Sequence, residues 1–511
     1  MNAGLVHPLL AGALLAAAFL LAPPVAAQDA SGGVRQSLGP LFNPAPDSGA
    51  AARKPTRPRS LDAVRRWNEI AVDASGLDHT PVAAGERRVF GEQLGPGRSA
   101  RAMAIVHIAM FDAVVALRGG YRSYTGVARA SEGTSLEAAV AEAAHDTLVA
   151  LFPSQAESLD AVLAEDLSRL QPVPPSAKAA GVDLGHRAAA AILALKAHDG
   201  SQHPEPRMGA DYLPSDQPGK WRQDPVSLVP LAMGAHWGEV QPFVIESGQQ
   251  FRIPPPPAME SAAYTAAFDE VKRLGGDGIG TPTLRTEQQK FIGIFWAYDG
   301  TPSLCAPPRL YNQIAVQIAE QRHLNTVQLA RMLALVNVAM ADTGVAAWES
   351  KYHYAFWRPV AGIREADAGT GPSGAGDGNA NTAADAGFMP LGAPASNLNG
   401  PNFTPPFPAY PSGHAAFGGA LFQTLRNFYG TDQVAFTFVS DEFNGQTRDN
   451  LGHVRALMPR SFSRLSEAEE ENGQSRIYLG IHWAFDKTEG IAQGRRVANH
   501  VFRNAFTPPG Q

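Results

Sequence analysis

From about residue 99 onward, apolar residues recur three and four positions apart along most of the chain, the spacing of one helical face. Between Ser99 and Leu117 the stripe is Met103, Val106, Met110 and Val114, and Gly119-Gly120 closes it. Thr134-x-x-Glu137 reads as a capping box ahead of a helix that runs to Phe152. The same period predicts helices over 154–170 and 176–198, parted by Pro172, Pro174 and Pro175, and then over 261–274, 286–298 and 308–323. A long helix starts at Thr326 and runs toward Trp357, where Pro359 should end or kink it. The last three helices are expected over 414–428, 464–478 and about 486–502.

Two-residue alternation is sparse, and short β pieces find room only in 199–258, a loop-rich stretch ending in Pro254 to Pro257. Residues 366–400 are rich in Gly, Ala, Asn and Asp, follow neither period, and are too long for an ordinary connection. The predicted fold is mainly α: two helical bundles packed together, with long loops and little β structure. The first bundle with its loop-rich end takes 59–258, and the second, 259–511, carries the candidate chemistry.

Residues 1–27 read as a signal peptide, an apolar run from Leu9 to Ala22 followed by Val25-Ala26-Ala27, which predicts a periplasmic or secreted protein. A flexible arm is expected over 28–58. Beyond the leader no run of about 18 apolar residues appears, and the best internal stretch, Met332 to Trp348, carries Asp342, so no transmembrane anchor is expected. A formal charge of −6 argues against nucleic acid as a partner. Cys305 is the only cysteine, which excludes an intramolecular disulfide and suits a small buried or loop residue better than a reactive thiol.

The candidate chemistry lies in three segments. Lys351 and Arg358 are seven apart, two turns of one helix, and would share a face, either as a solvated basic stripe or as a grip on an anion. In Pro411-Ser412-Gly413-His414, Ser412 suits an N-cap and Gly413 lets a ligand approach the backbone; the segment is a plain capped helix or an anion cradle. His414 would feel the positive helix end, which lowers its pKa, and a bound anion, which raises it, as suits an acid/base near neutrality. Arg476 and His482 are six apart and cannot share one helical face, and Gly480 marks a break between them. Asp486 either fixes the His482 ring or opens a capping box, Asp486-Lys487-Thr488-Glu489, and one carboxylate can do both.

In this order, Lys-x6-Arg-Pro, Pro-Ser-Gly-His and Ser-Arg-x5-His-x3-Asp resemble the signature of the vanadium-dependent haloperoxidase and type-2 phosphatidic acid phosphatase superfamily, with every letter matched. The stretches IFWAYDG at 294–300, PPRLYNQI at 307–314, AAWESK at 346–351 and the run 391–417 look like the chloroperoxidase branch. The resemblance implies a helical-bundle fold and a vanadate cofactor. Lys351, Arg358, Ser412, the Gly413 N–H and Arg476 would hold its oxygens, His482 would bind the metal, and His414 would be the acid/base. Hydrogen peroxide and chloride or bromide would be the substrates, hypohalous acid the product, and an organic molecule a possible acceptor.

By the same resemblance Trp348 and Phe407 would wall the halide's approach, and Asp299 would pair with Arg476 or sit near His414. Bromide-oxidising relatives tend to have histidine in place of Phe407. Core aromatics and a turn aspartate remain the plainer readings of those three. The signature equally suits a phosphatase in which His482 attacks phosphorus, Asp486 orients it and His414 protonates the leaving oxygen. A phosphate- or vanadate-binding protein without catalysis is a third reading, but it leaves His414 idle. The haloperoxidase is the reading adopted, with the 366–400 segment placed where it could cover the entrance.

Overall fold

The computed structural model describes residues 32–44, 62–83 and 85–510, so the leader-like residues 1–27 lie outside the described residues. In chain order the helices are α1 (Gly32–Leu38), α2 (Ala63–Asp78), α3 (Gly95–Arg118), α4 (Leu136–Leu151), α5 (Ala156–Arg169), α6 (Pro175–Leu195) and α7 (Ala262–Leu274). There follow α8 (Glu287–Phe295), α9 (Pro307–Gln321), α10 (Thr326–Tyr354), α11 (Pro359–Arg364), α12 (Gly413–Tyr429), α13 (Leu465–Tyr478) and α14 (Ala484–Asn504). The fold is mainly helical, and each helix expected from periodicity is present.

The central pair, α3 and α10, is apolar on nearly every side because each is surrounded by other helices. By length and composition both could cross a bilayer, but both are buried inside the protein. Their mid-helix carboxylates serve the loops. Asp342 accepts backbone N–H bonds from Phe243, Val244 and Ile245 at 2.6–2.9 Å, which fastens the 199–258 stretch to α10.

Several local expectations are corrected. The arm is partly ordered: Val34, Leu38 and Phe42 are buried, and β1 (Asn43–Pro44) pairs antiparallel with β2 (Leu398–Asn399). Apolar contact with the 391–403 loop offsets the cost of ordering it. The α4 cap is Ser135, whose Oγ accepts from the Ala138 N–H, and not Thr134. Helix α2 has no counterpart in the periodicity reading, although Asp62 caps it and Val64, Trp67 and Ala71 are buried. The β structure is not in 199–258, where only isolated bridges form; it is the hairpin of β3 (Phe436–Asn444) and β4 (Leu457–Phe462).

The correction that matters most for the site is at the end of α10. That helix stops at Tyr354, with Ala355 in the left-handed region (φ 48°), so Lys351 and Arg358 do not share a helix face. Arg358 is instead the N-cap residue of α11. A loop from the first half pins the break: the Trp221 N–H donates to the Ala355 carbonyl at 2.7 Å, and the Trp357 N–H to Gly219 at 2.9 Å. Helices α12 and α14 pack backbone to backbone through Gly490, where an added Cβ would lie 2.7 Å from the Ser412 carbonyl oxygen. That contact sets the start of α12 beside the start of α14.

Candidate active site

Residues from five places in the chain converge on one buried pocket. Lys351 comes from the last turn of α10, Arg358 from the cap of α11, Ser412 to His414 from the start of α12, Arg476 from the last turn of α13, and His482 from the link into α14. Gly480 makes that link: its φ is +73° and a Cβ there would strike the backbone of Gly275, so the chain turns back sharply and aims His482 inward.

The His482 ring is held at both nitrogens. Nδ1 lies 2.7 Å from Asp486 Oδ2, while Nε2 lies 2.9 Å from the Arg358 guanidinium. With the Nδ1 proton committed to the carboxylate, Nε2 keeps its lone pair toward the pocket and accepts an N–H from Arg358. Asp486 also accepts the Trp483 N–H at 3.0 Å, so it orients His482 and closes the first turn of α14. It does this as the third residue of the helix and not, as expected, by opening a box at its cap. Burial pushes its carboxyl up to about 7.

The cations differ in how many donors they leave over. The Lys351 ammonium is spent on the carbonyls of Pro408, Ala409 and Pro411 and lies over the Phe407 and Trp348 rings, 5.0 and 5.5 Å from their centroids. Burial, then the neighbouring Arg358, holds its pKa well below the usual lysine value. Arg358 donates to the carbonyls of Phe407, Ile481 and Pro405, and burial lowers it to about 9. Arg476 is different. Its Nη2 pairs with Asp299 Oδ1 at 2.6 Å, but Nε and Nη1 are buried with no hydrogen-bond partner among the described residues. Two bare guanidinium donors in a buried pocket are costly unless an acceptor fills it.

The Ser412 hydroxyl caps α12 by accepting the Ala415 N–H at 3.4 Å. The Gly413 and His414 N–H groups belong to the first helical turn, where no intrahelical partner exists. His414 gives its Nε2–H to the Ala297 carbonyl, which leaves Nδ1 as the basic nitrogen, 3.9 Å from Asp299 Oδ1. Asp299 therefore lies beside both Arg476 and His414, and burial raises its pKa against the pull of the guanidinium. Phe407 packs on Trp348 with centroids 4.9 Å apart, and Trp348 Nε1–H donates to the Met233 carbonyl at 3.1 Å. These two rings form one wall of the pocket.

Asp299, Trp348, Phe407, Gly413, His414, Arg476 and His482 line the pocket, while Lys351, Arg358, Ser412 and Asp486 stand behind them. Sequence reasoning missed the other wall: Ser37 and Leu38 of the arm, His79, Leu94, Gly95 and Met233, all from the first half. None belongs to a motif, and nothing short of the tertiary fold places them there. The pocket has about 40 Å³ of water-accessible space. At roughly 10–15 Å³ per water, that is room for a small polyatomic ion.

Residues 331–508 match the family model described as the VCPO second helical-bundle domain. Vanadium chloroperoxidase of Curvularia inaequalis is 29% identical over 501 residues, covering 82% of this chain and 78% of that protein. The chain is thus similar to a vanadium chloroperoxidase over most of its length. The crystal structure of a bacterial vanadium-dependent iodoperoxidase superposes with a TM-score of 0.67 at 21% identity, covering 89% of this chain and all of that one. The apo form of a bacterial vanadium-dependent chloroperoxidase gives 0.59 at 17% identity over 80% of this chain and 93% of that one. At such identities these two superpositions establish a shared fold. In this chain the signature lies within the matched domain, whereas Asp299 and the missed wall lie before it.

Burial, followed by the Arg476 charge, holds His414 well below the ordinary histidine pKa. A histidine depressed in the folded state contributes stability that is fully present above the unfolded pKa, about 6.5, and is lost as pH falls below it. His414→Ala is therefore expected to flatten the drop in melting temperature between pH 7 and pH 5 in protein free of oxyanion. Calorimetry across that range checks it; an unchanged slope would mean that His414 is not the buried neutral base.

Proposed function

We propose that this chain is a vanadate-dependent haloperoxidase that oxidises chloride or bromide with hydrogen peroxide to hypohalous acid. The observation that carries the reading is the pair of bare Arg476 donors in a pocket lined by a helix start and two imidazoles and backed by two more cations. The donor set fits vanadate. His482 Nε2 would bind the metal. Arg476, the Ser412 hydroxyl and the first-turn N–H groups would take its oxygens, and Lys351 and Arg358 would balance its charge at close range. When bound, vanadate supplies Lewis-acid activation of the peroxide without changing oxidation state.

This chain's residues do the rest. His414 Nδ1 takes a proton from incoming peroxide, while the Ala297 carbonyl holds the ring in place. Burial lowers the imidazole pKa most and the Arg476 charge adds to it; an anion in the pocket offsets that charge and brings the base nearer neutrality. Phe407 and Trp348 keep water from the face where halide enters, and an apolar ring in place of an imidazole at 407 favours a chloroperoxidase-like site. The leader-like residues 1–27 support export.

The test is halogenation of a phenol-red reporter by the purified protein with peroxide and either bromide or chloride, with and without vanadate. Halogenation is expected only with vanadate, and nitrophenyl phosphate should be hydrolysed slowly or not at all. Phosphate release as the sole activity, indifferent to peroxide and halide, would overturn the proposal in favour of a histidine-nucleophile phosphatase.

A further inference from the structure

A second convergence of ligand-type side chains lies on α4, α5 and α6, and none of its members lines the oxyanion pocket. Glu142, His145 and Asp146 stand at i, i+3 and i+4 on one face of α4. His186 reaches them from α6 and Asp160 from α5. Helices α4 and α6 can approach this closely because position 185 is glycine; any Cβ there would collide with the Glu142 side chain.

Each imidazole meets its own oxygen of Asp146, and Glu142 Oε1 stands within 4 Å of both rings. His145 Nδ1 lies 3.0 Å from Asp146 Oδ1 and 3.8 Å from Glu142 Oε1. His186 Nδ1 lies 2.6 Å from Asp146 Oδ2 and 3.6 Å from Glu142 Oε1. Ligand atoms bonded to one ion at about 2.0–2.2 Å are roughly 3–3.5 Å apart, which these values bracket. The Glu142 side chain is only 5% exposed, yet its Oε1 lies beyond hydrogen-bond length from both imidazoles, and its carboxyl faces that of Asp146. Two carboxyl groups this close need a shared proton or a cation between them.

The outer contact points the same way. His145 Nε2 lies 2.8 Å from Asp160 Oδ1, which places a carboxylate behind the ring while Nδ1 faces Glu142 and Asp146. A carboxylate behind the far nitrogen of an imidazole is the usual support of a metal-bound histidine. Two imidazole nitrogens among oxygen ligands suit a borderline-soft divalent ion far better than magnesium or calcium.

We propose that Glu142, His145, Asp146 and His186 form a binding site for a divalent transition metal of the zinc type, with Asp160 positioning His145. The bound ion ties α4 to α6 and braces the first half of the chain. His186 is 54% exposed, which gives the ion a way in from solvent.

The experiment uses tag-free full-length protein stripped with chelator and titrated with zinc chloride, and in parallel manganese chloride, in phosphate-free buffer. Calorimetry should report one ion per chain, with a rise in melting temperature that chelator reverses. His186→Ala, at a half-exposed position that folding tolerates, should weaken binding at least tenfold, and His145→Ala more; vanadate-dependent halogenation by His186→Ala should match wild type. Saturable binding by neither metal, or binding that His186→Ala leaves unchanged, would overturn the site; the first would show that protons alone hold the cluster together.

Discussion

Replacing His482 with alanine is expected to abolish vanadate-dependent halogenation and to weaken vanadate binding by at least ~100-fold. This is the one ring in the pocket with one nitrogen locked to a carboxylate and the other held only by the Arg358 guanidinium, whose N–H a bound metal would displace. Even changes to the supporting partner of such a ligand cost about 10–100-fold in affinity, so loss of the ligand itself should cost more. The substitution also deprives buried Asp486 of one of its two donors, leaving the Trp483 N–H. A fall in thermal stability worth about 1–3 kcal/mol should accompany the loss of activity. Vanadate titration followed by calorimetry, with circular dichroism to confirm the fold, separates the two effects. Retention of binding within threefold of wild type would remove His482 from the centre of the site.

Arg476→Lys is expected to weaken both vanadate and phosphate by about 100-fold, or ~2.7 kcal/mol, with little change in fold. A lysine can keep the charge and the contact with Asp299 but cannot present the two further donors that Nε and Nη1 hold in a fixed plane. Hydrogen bonds to a charged group are worth about 1.5–3 kcal/mol each when well made. The same change at Arg358 should cost less per donor, because that guanidinium is largely occupied by the carbonyls of residues 405, 407 and 481. Competition of phosphate against vanadate gives the affinities directly. If the Arg476→Lys variant bound phosphate as tightly as wild type, the bare donors would not be the anion's contacts.

How much of this is readable beforehand depends on the kind of interaction. Helix α7 is legible because it buries a periodic apolar stripe, Tyr264, Ala267, Phe268, Val271 and Leu274, a property of consecutive residues. The hairpin of β3 and β4 is not, since only half of its inward positions, Phe436, Phe438, Ser440 and Glu442, are apolar and the partner strand is largely exposed. The Lys351–Arg358 spacing reads as two turns of helix and is in fact a helix end, a left-handed residue and a new cap. The two cations still meet, because Trp221 and Gly219 hold the break from a loop more than a hundred residues away. Asp486 has both of the jobs its spacing suggests, but it does them from inside the helix and not from the cap.

Local order in the chain is sufficient to name the chemical actors: three cations, two imidazoles, a glycine at a helix start and a supporting carboxylate. Their identity is written in side-chain type and short spacing, which need no partner from elsewhere. What the tertiary structure alone decided is which of their hydrogen-bonding atoms remain free. Backbone carbonyls of residues 405 to 411 claim Lys351 and most of Arg358, Ala297 claims one nitrogen of His414, and Arg476 is left with two bare donors. Carbonyl oxygens carry no residue-specific signal, so only folding could show which donors they would take.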